Sequence, residues 1–295
     1  MLLKKLTIMV ACMFHSKNIG FIQGRMSPIV NGMIQAFPWD HWQDEFRLAH
    51  ENNWRLQEWT LDYERIKNNP VCTSEGRTAI HKLIEKYDIE IPSLTADFVM
   101  QKPFYKCNGV MYENLLSILS DVLIASSLVG VGIFVLPLVD RGSLESVKQT
   151  SMLFLGLDRV TPVLKELKMK IAFESDFPPD RLANFISTLD PEVYGINYDI
   201  GNSAACQYDP VEEMDAYGKR IINVHIKDRL AGGHTVPLGK GNADFIQVFS
   251  ILNKLKYKGN YIFQTARAVN DDHVNVLNLY RDFVMNIVAK QCILA

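Results

Sequence analysis

Eight short apolar segments, each followed by a longer amphipathic stretch, constrain this chain more than any other feature of it. The segments are IGFIQGR (19–25), LQEWTL (56–61), IEIPSLTADF (89–98), GIFVLPLVD (132–140), KIAFESD (170–176), YGINYDIGN (194–202), INVHIKDR (222–229) and NYIFQTAR (260–267). Apolar runs this short read as buried strands. Helix-period patterns separate them, for example over 42–52, 73–87, 112–129, 144–167, 243–257 and 271–289. Strand–helix alternation without a Pro/Gly/Ser linker predicts an α/β fold, a single (β/α)8 TIM barrel over residues 18–295. A doubly wound open sheet competes with it, but that fold carries a glycine-rich phosphate turn after its first strand. IQGRMSP lacks the GxGxxG spacing.

Charge narrows the function. The 31 basic and 33 acidic residues leave a net charge of −2, with no basic footprint for nucleic acid. The five cysteines are scattered and form no CxxC pair, which reads as reduced thiols in a cytoplasmic protein. Residues 1–17, including MLLKKLTIMVACMF, read as an N-terminal extension ahead of the barrel, with a weak likeness to a secretory signal as the other reading. Elsewhere no stretch reaches the roughly 18 apolar residues of a membrane span.

Two irregular inserts follow strands. MSPIVNGMIQAFPWDH (26–41) comes after the first, and LAGGHTVPLGKGN (230–242) after the seventh. Both fall on the C-terminal side, where barrel active sites are built. Both read as functional loops, with an aromatic-rich plug across one barrel mouth as the other reading for the first.

The strand ends carry the chemistry. Glu174, Asp199, His225 and Gln264 stand at or near the C-terminal ends of the fifth to eighth segments. Alone, each has a structural explanation, such as an ion pair with Lys227 or Arg229, or a hydrogen-bonded core histidine. Together they form a mixed oxygen and nitrogen donor set that suits a divalent ion such as Mn2+, Mg2+, Co2+ or Zn2+.

In IAFESD, YDIGN, VHIKDR and FQTAR, these four residues resemble the ligand positions of the xylose-isomerase-like barrels. GFIQGRMSP and QAFPW resemble the opening of the sugar phosphate isomerase/epimerase branch, and the likeness runs from about residue 18 to the C-terminus. It implies chemistry like that of the ketose 3-epimerases. One glutamate removes a proton beside a carbonyl, a second returns it to the opposite face, and the metal acts as Lewis acid. Glu174 matches the first glutamate, whereas Gln264 stands where the second is expected.

An amide cannot act as a base near neutral pH. The departure therefore leaves open a one-base isomerisation, a dehydration of the inosose type, or a barrel that only binds sugar. Glu58 and Asp228 are the expected substitute acids. Gln23, Arg25 and Asn202 are expected at substrate hydroxyls, and Lys227, Arg229 and Arg267 at a phosphate or carboxylate. Trp39, Trp42 and Trp59 are candidates for stacking on a sugar face, and His234 for a lid. The DNA-repair endonuclease branch needs many histidines; of the seven here, only His225 ends a strand. The expected partner is a small sugar or sugar phosphate, without nucleic acid or membrane, and a homo-oligomer is compatible.

Overall fold

Parallel strands close into an eight-membered barrel in the computed structural model, which describes residues 18–294. They are β1 (Ile19–Ile22), β2 (Leu56–Thr60), β3 (Ser93–Thr95), β4 (Ile133–Leu138), β5 (Lys170–Ser175), β6 (Tyr194–Asp199), β7 (Ile221–Ile226) and β8 (Asn260–Phe263). Each pairs with its sequence neighbour, and β1 closes the ring on β8. The register sets Asp199 of β6 beside His225 of β7. The expected extension, residues 1–17, lies outside the described residues.

Ten helices surround the barrel among the described residues. They are α1 (Asp44–Glu51), α2 (Ser74–Tyr87), α3 (Asp97–Gln101), α4 (Gly109–Ser127), α5 (Val147–Leu167), α6 (Pro179–Ser187), α7 (Ile200–Cys206), α8 (Pro210–Tyr217), α9 (Phe245–Lys254) and α10 (His273–Leu294). Side-chain caps start several of them: Thr73 accepts from Gly76 N, Ser146 from Gln149 N, and Asp244 from Gln247 N. Each cap satisfies a backbone N–H that has no partner inside its helix.

Helices α3, α6, α7 and α8 are too short to leave a legible period in the sequence. The segment 89–98, expected to be one strand, splits for that reason into three residues of β3 and the start of α3. Pro92 lacks an N–H for the ladder, and Phe98 N turns back to Leu61 O. Helix α4 also departs from expectation. By length and composition it is long and apolar enough to cross a membrane. Here Leu115, Leu116, Leu119, Val122 and Leu123 form its buried face in the core.

Alternation along each strand separates two layers of packing. On β2, Gln57 and Trp59 face the helices, where Trp59 packs against Phe37 and Trp42 at ring-centroid distances of 5.4 and 5.7 Å. Glu58, between them, faces the barrel interior and meets residues of β3 and β7. Barrel interiors are usually filled by branched apolar side chains. This one carries a polar layer of Glu58, Ser93, Thr95, Glu174, Asn197, Asn223 and His225 below its C-terminal mouth, all buried.

Candidate active site

His225 lies at the centre of the polar layer and is fully buried. Its Nε2 is 2.8 Å from Glu58 Oε1. Glu58 is itself held by three donors: Ser93 Oγ at 2.6 Å, Thr95 Oγ1 at 2.6 Å and Asn223 Nδ2 at 3.1 Å. Burial alone would raise the Glu58 pKa, but the charge and hydrogen bond of His225, with Ser93 and Thr95, hold it below the ordinary value. Burial likewise opposes a charged imidazole. Glu58 and Glu174 override it and push His225 up to about 10.

The other ring nitrogen faces the mouth. His225 Nδ1 lies 3.2 Å from Glu174 Oε2 and 3.9 Å from Asp199 Oδ2. It has no hydrogen-bond partner. Glu174 receives Asn197 Nδ2 at 2.8 Å and Asn202 Nδ2 at 2.6 Å. Burial would raise its pKa, yet His225, then Lys227 and Asn197, keep it lowered. Asp199 caps α7 by accepting from Asn202 N at 2.8 Å, while its other oxygen accepts from Lys227 Nζ at 3.0 Å. Lys227 Nζ also donates to Gln264 Oε1 at 2.9 Å. Its stem crosses α7 at Gly201, where a Cβ would stand 2.7 Å from Lys227 Cγ. Glycine is needed there for close approach.

The residues fit a divalent ion. Glu174, Asp199 and His225 each offer a ligand atom, and the three atoms lie within 4.8 Å of one another. Nδ1, which faces Glu174 and Asp199, would become a ligating atom once an ion displaces its proton, and the Glu58 contact at Nε2 is the outer carboxylate that fixes such a ring. Gln264 is joined to the group through Lys227.

Above the group opens a cavity of about 790 Å³. Glu174, Gln264, Asn202, Lys227, Arg229 and His234 line it, as do Gln35 of the first insert and Asp97 of α3. Asn202 Oδ1 accepts from Arg229 Nη1 at 2.8 Å, so Asn202 joins Arg229 to Glu174. A cavity of about 800 Å³ at the opposite end of the barrel holds no histidine and only one carboxylate, Glu90. The cluster of Glu174, Asp199 and His225 lies at the C-terminal mouth.

Several residues expected at the substrate lie elsewhere. Arg25 donates from Nε to Thr265 O and from Nη1 to Ile34 O, both at 2.9 Å. Arg267 reaches the carbonyls of Gly24 and Ser27. Both arginines brace the first insert against the end of β8. Gln23 is buried with its Oε1 on Thr60 N at 3.2 Å. Glu58 sits beneath the cavity, and Asp228 accepts from Gly239 N, Gly241 N and Ala243 N at 2.8, 2.9 and 3.1 Å. Neither is placed as a substitute acid. Trp39 packs on Phe37 and under Arg65, and none of the three tryptophans lines the cavity.

Asp97 is the functional candidate that sequence reading misses. It stands next to last in the expected strand 89–98, so its place near a strand end was the signal that could have found it.

The xylose isomerase-like TIM-barrel family matches residues 46–278, most of the chain. The chain belongs to that family. L-ribulose-5-phosphate 3-epimerase UlaE of Escherichia coli is a relative within reach of sequence comparison. It is 25% identical over 261 residues, covering 84% of this chain and 90% of the relative. Among solved structures, D-allulose 3-epimerase from Methylomonas sp., in complex with D-allulose, aligns with a TM-score of 0.70 at 14% identity. The alignment covers 91% of this chain and 96% of that one. A family protein from Mycobacterium smegmatis in complex with magnesium aligns at 0.66 and 14% identity, over 94% and 99% of the two chains. At these identities the structural likeness establishes the shared barrel.

Proposed function

We propose that this protein is a cytoplasmic, divalent-metal-dependent epimerase or isomerase of a small ketose or ketose phosphate. The observation that carries the reading is the convergence of Glu174, Asp199 and His225 with Nδ1 of His225 left unpartnered beneath the cavity. The names of the relatives, L-ribulose-5-phosphate 3-epimerase and D-allulose 3-epimerase, support the substrate class. A net charge of −2 argues against nucleic acid as partner.

Glu174, Asp199 and His225 would hold the ion, with Gln264 as a fourth donor once Lys227 releases its amide oxygen. A bound divalent cation supplies Lewis acidity beside the reacting carbonyl. Glu174 is the base. Its lowered pKa keeps it ionised at neutral pH, and it lines the cavity where a substrate carbon would sit. Asn197 and Asn202 fix the direction of its carboxylate. Arg229 and Lys227 supply positive charge to the same cavity for substrate oxygens or a phosphate.

A second reading, a barrel that binds sugar without turning it over, is favoured by the Lys227 ammonium lying between Asp199 and Gln264. Solvent exchange separates the two. The protein, loaded with Mn2+, is incubated in D2O with L-ribulose 5-phosphate, D-allulose and other ketoses, and carbon-bound deuterium is followed by NMR. Epimerase chemistry puts deuterium into at least one sugar, and Glu174→Gln and Asp199→Ala abolish it. Sugar binding without deuterium in any sample overturns the catalytic reading.

A further inference from the structure

The cavity at the N-terminal end of the barrel matches the mouth cavity in size, at about 800 against about 790 Å³, but not in charge. Lys168, Lys170, Lys219, Lys256 and Lys258 line it, and Glu90 is its only carboxylate among the described residues. At the mouth the balance is reversed, where Asp97, Asp140, Glu174 and Asp176 outnumber Lys227 and Arg229. A chain with a net charge of −2 thus surrounds one cavity with five ammonium groups.

None of these five side chains has a hydrogen bond or an ion pair with another described residue. Lys165, earlier on α5, is by contrast held by Asp190 at 2.8 Å. Helix C-termini favour cations, which explains Lys168, Lys219 and Lys256, just past α5, α8 and α9. It explains neither Lys170, which opens β5, nor Lys258, ahead of β8. Like charges around one cavity repel each other, and an anion seated among them replaces that repulsion with attraction. Between the lysines the wall is apolar, with Ile84, Ile91, Ile133 and Leu255, and Tyr257 adds an aromatic ring.

We infer that this cavity is a second binding site, for a nucleoside di- or triphosphate whose phosphates meet the lysines and whose base lies on the apolar wall. Such a site is independent of the epimerase reading. One phosphate group carries a charge of about −1.5 to −2 at neutral pH and would leave most of the lysines unmatched, whereas a chain of two or three would not. Lysine is a flexible point charge, so five of them can follow a phosphate chain without the fixed fork that arginine imposes. The volume falls within the range of about 300–1,000 Å³ common for small-molecule sites. The two cavities lie at opposite ends of the same strands, since β5 carries Lys170 at one end and Glu174 near the other. Both can be filled at once.

Calorimetric titration of the full-length protein with ATP, pyrophosphate and adenosine tests the site. ATP should bind once per chain, pyrophosphate more weakly, and adenosine not at all. Combined Lys168→Gln, Lys170→Gln and Lys256→Gln should weaken ATP binding by about tenfold or more, with circular dichroism confirming the fold. Two controls should leave it unchanged: Lys82→Gln with Lys148→Gln, which are exposed elsewhere on the surface, and Lys227→Gln at the mouth. The inference is overturned if ATP fails to bind at millimolar concentration, or if the triple variant binds it as the parent does. Equal weakening by the Lys82 and Lys148 pair would reduce the effect to diffuse surface attraction and overturn it as well. Loss of binding in Lys227→Gln would move the nucleotide to the mouth, and pyrophosphate binding as tight as that of ATP would remove the base from the wall; either result refutes the site as described.

Discussion

His225 gives one ring nitrogen, Nε2, to Glu58 at 2.8 Å and leaves the other without a hydrogen-bond partner. The Glu58 contact fixes the ring plane, so Nδ1 is directed at Glu174 and Asp199. Glu58, expected as a substitute acid, is instead buried beneath the cavity and hydrogen-bonded to His225, Ser93, Thr95 and Asn223.

Glu58→Gln should therefore weaken metal binding without removing a ligand. Loss of an outer carboxylate of this kind lowers metal affinity by about 10- to 100-fold. Calorimetric titration with Mn2+ measures it, with circular dichroism as a check on folding. Unchanged affinity would mean that Asn223, Ser93 and Thr95 suffice to hold the ring.

Gln264→Glu should tighten metal binding, because a third carboxylate joins Glu174 and Asp199 around the same centre. Added ligand charge raises affinity for hard cations, here by about tenfold. The same titration reads it. Equal or weaker binding would show that the new carboxylate stays paired with Lys227.

Asp228→Ala should release the loop at 230–242. Three backbone amides, of Gly239, Gly241 and Ala243, converge on this one carboxylate. A Cβ at Gly241 would lie 2.2 Å from Asp228 Oδ1, so the turn is built around it. Losing the shared acceptor should cost about 2 kcal/mol or more. Urea unfolding gives the cost, and faster proteolytic cutting within the loop locates it. Loss of stability without faster cutting would place the damage elsewhere.

Glu213 sets a pH dependence away from the site. It is buried, accepts from Tyr198 at 2.8 Å, Tyr217 at 2.6 Å and Ser203, and burial raises its pKa despite those donors. Above the ordinary glutamate range of about 4.3, the folded protein keeps a proton that the unfolded chain has released. Stability from this group accordingly falls as pH rises. Glu213→Gln removes that slope. Urea midpoints between about pH 4 and 7 should shift in favour of the variant as pH increases. Parallel curves for the two proteins would refute this.

Much of the site was legible because strand ends are one-dimensional features. A carboxylate or imidazole closing an apolar run has few places to go except the barrel mouth, and this located Glu174, Asp199, His225 and Gln264. Asn202, Lys227 and Arg229 followed from the same segments and do line the cavity. Arg25 and Arg267 were misplaced because a guanidinium reaches far enough to leave the mouth. Their direction depends on which carbonyls of the first insert lie nearby.

The sequence by itself determined the eight-fold alternation, and with it the closed parallel barrel and the end at which its chemistry gathers. Periodicity is a local property, and a chain of short buried strands joined by helices has few ways to cover both faces of its sheet. Only the tertiary structure decided which polar groups meet. Glu58 and His225 are 167 residues apart in sequence, and ring closure alone brings them within a hydrogen bond. The same closure sets Asp97 in the cavity wall at the mouth, among residues from strands distant in the chain.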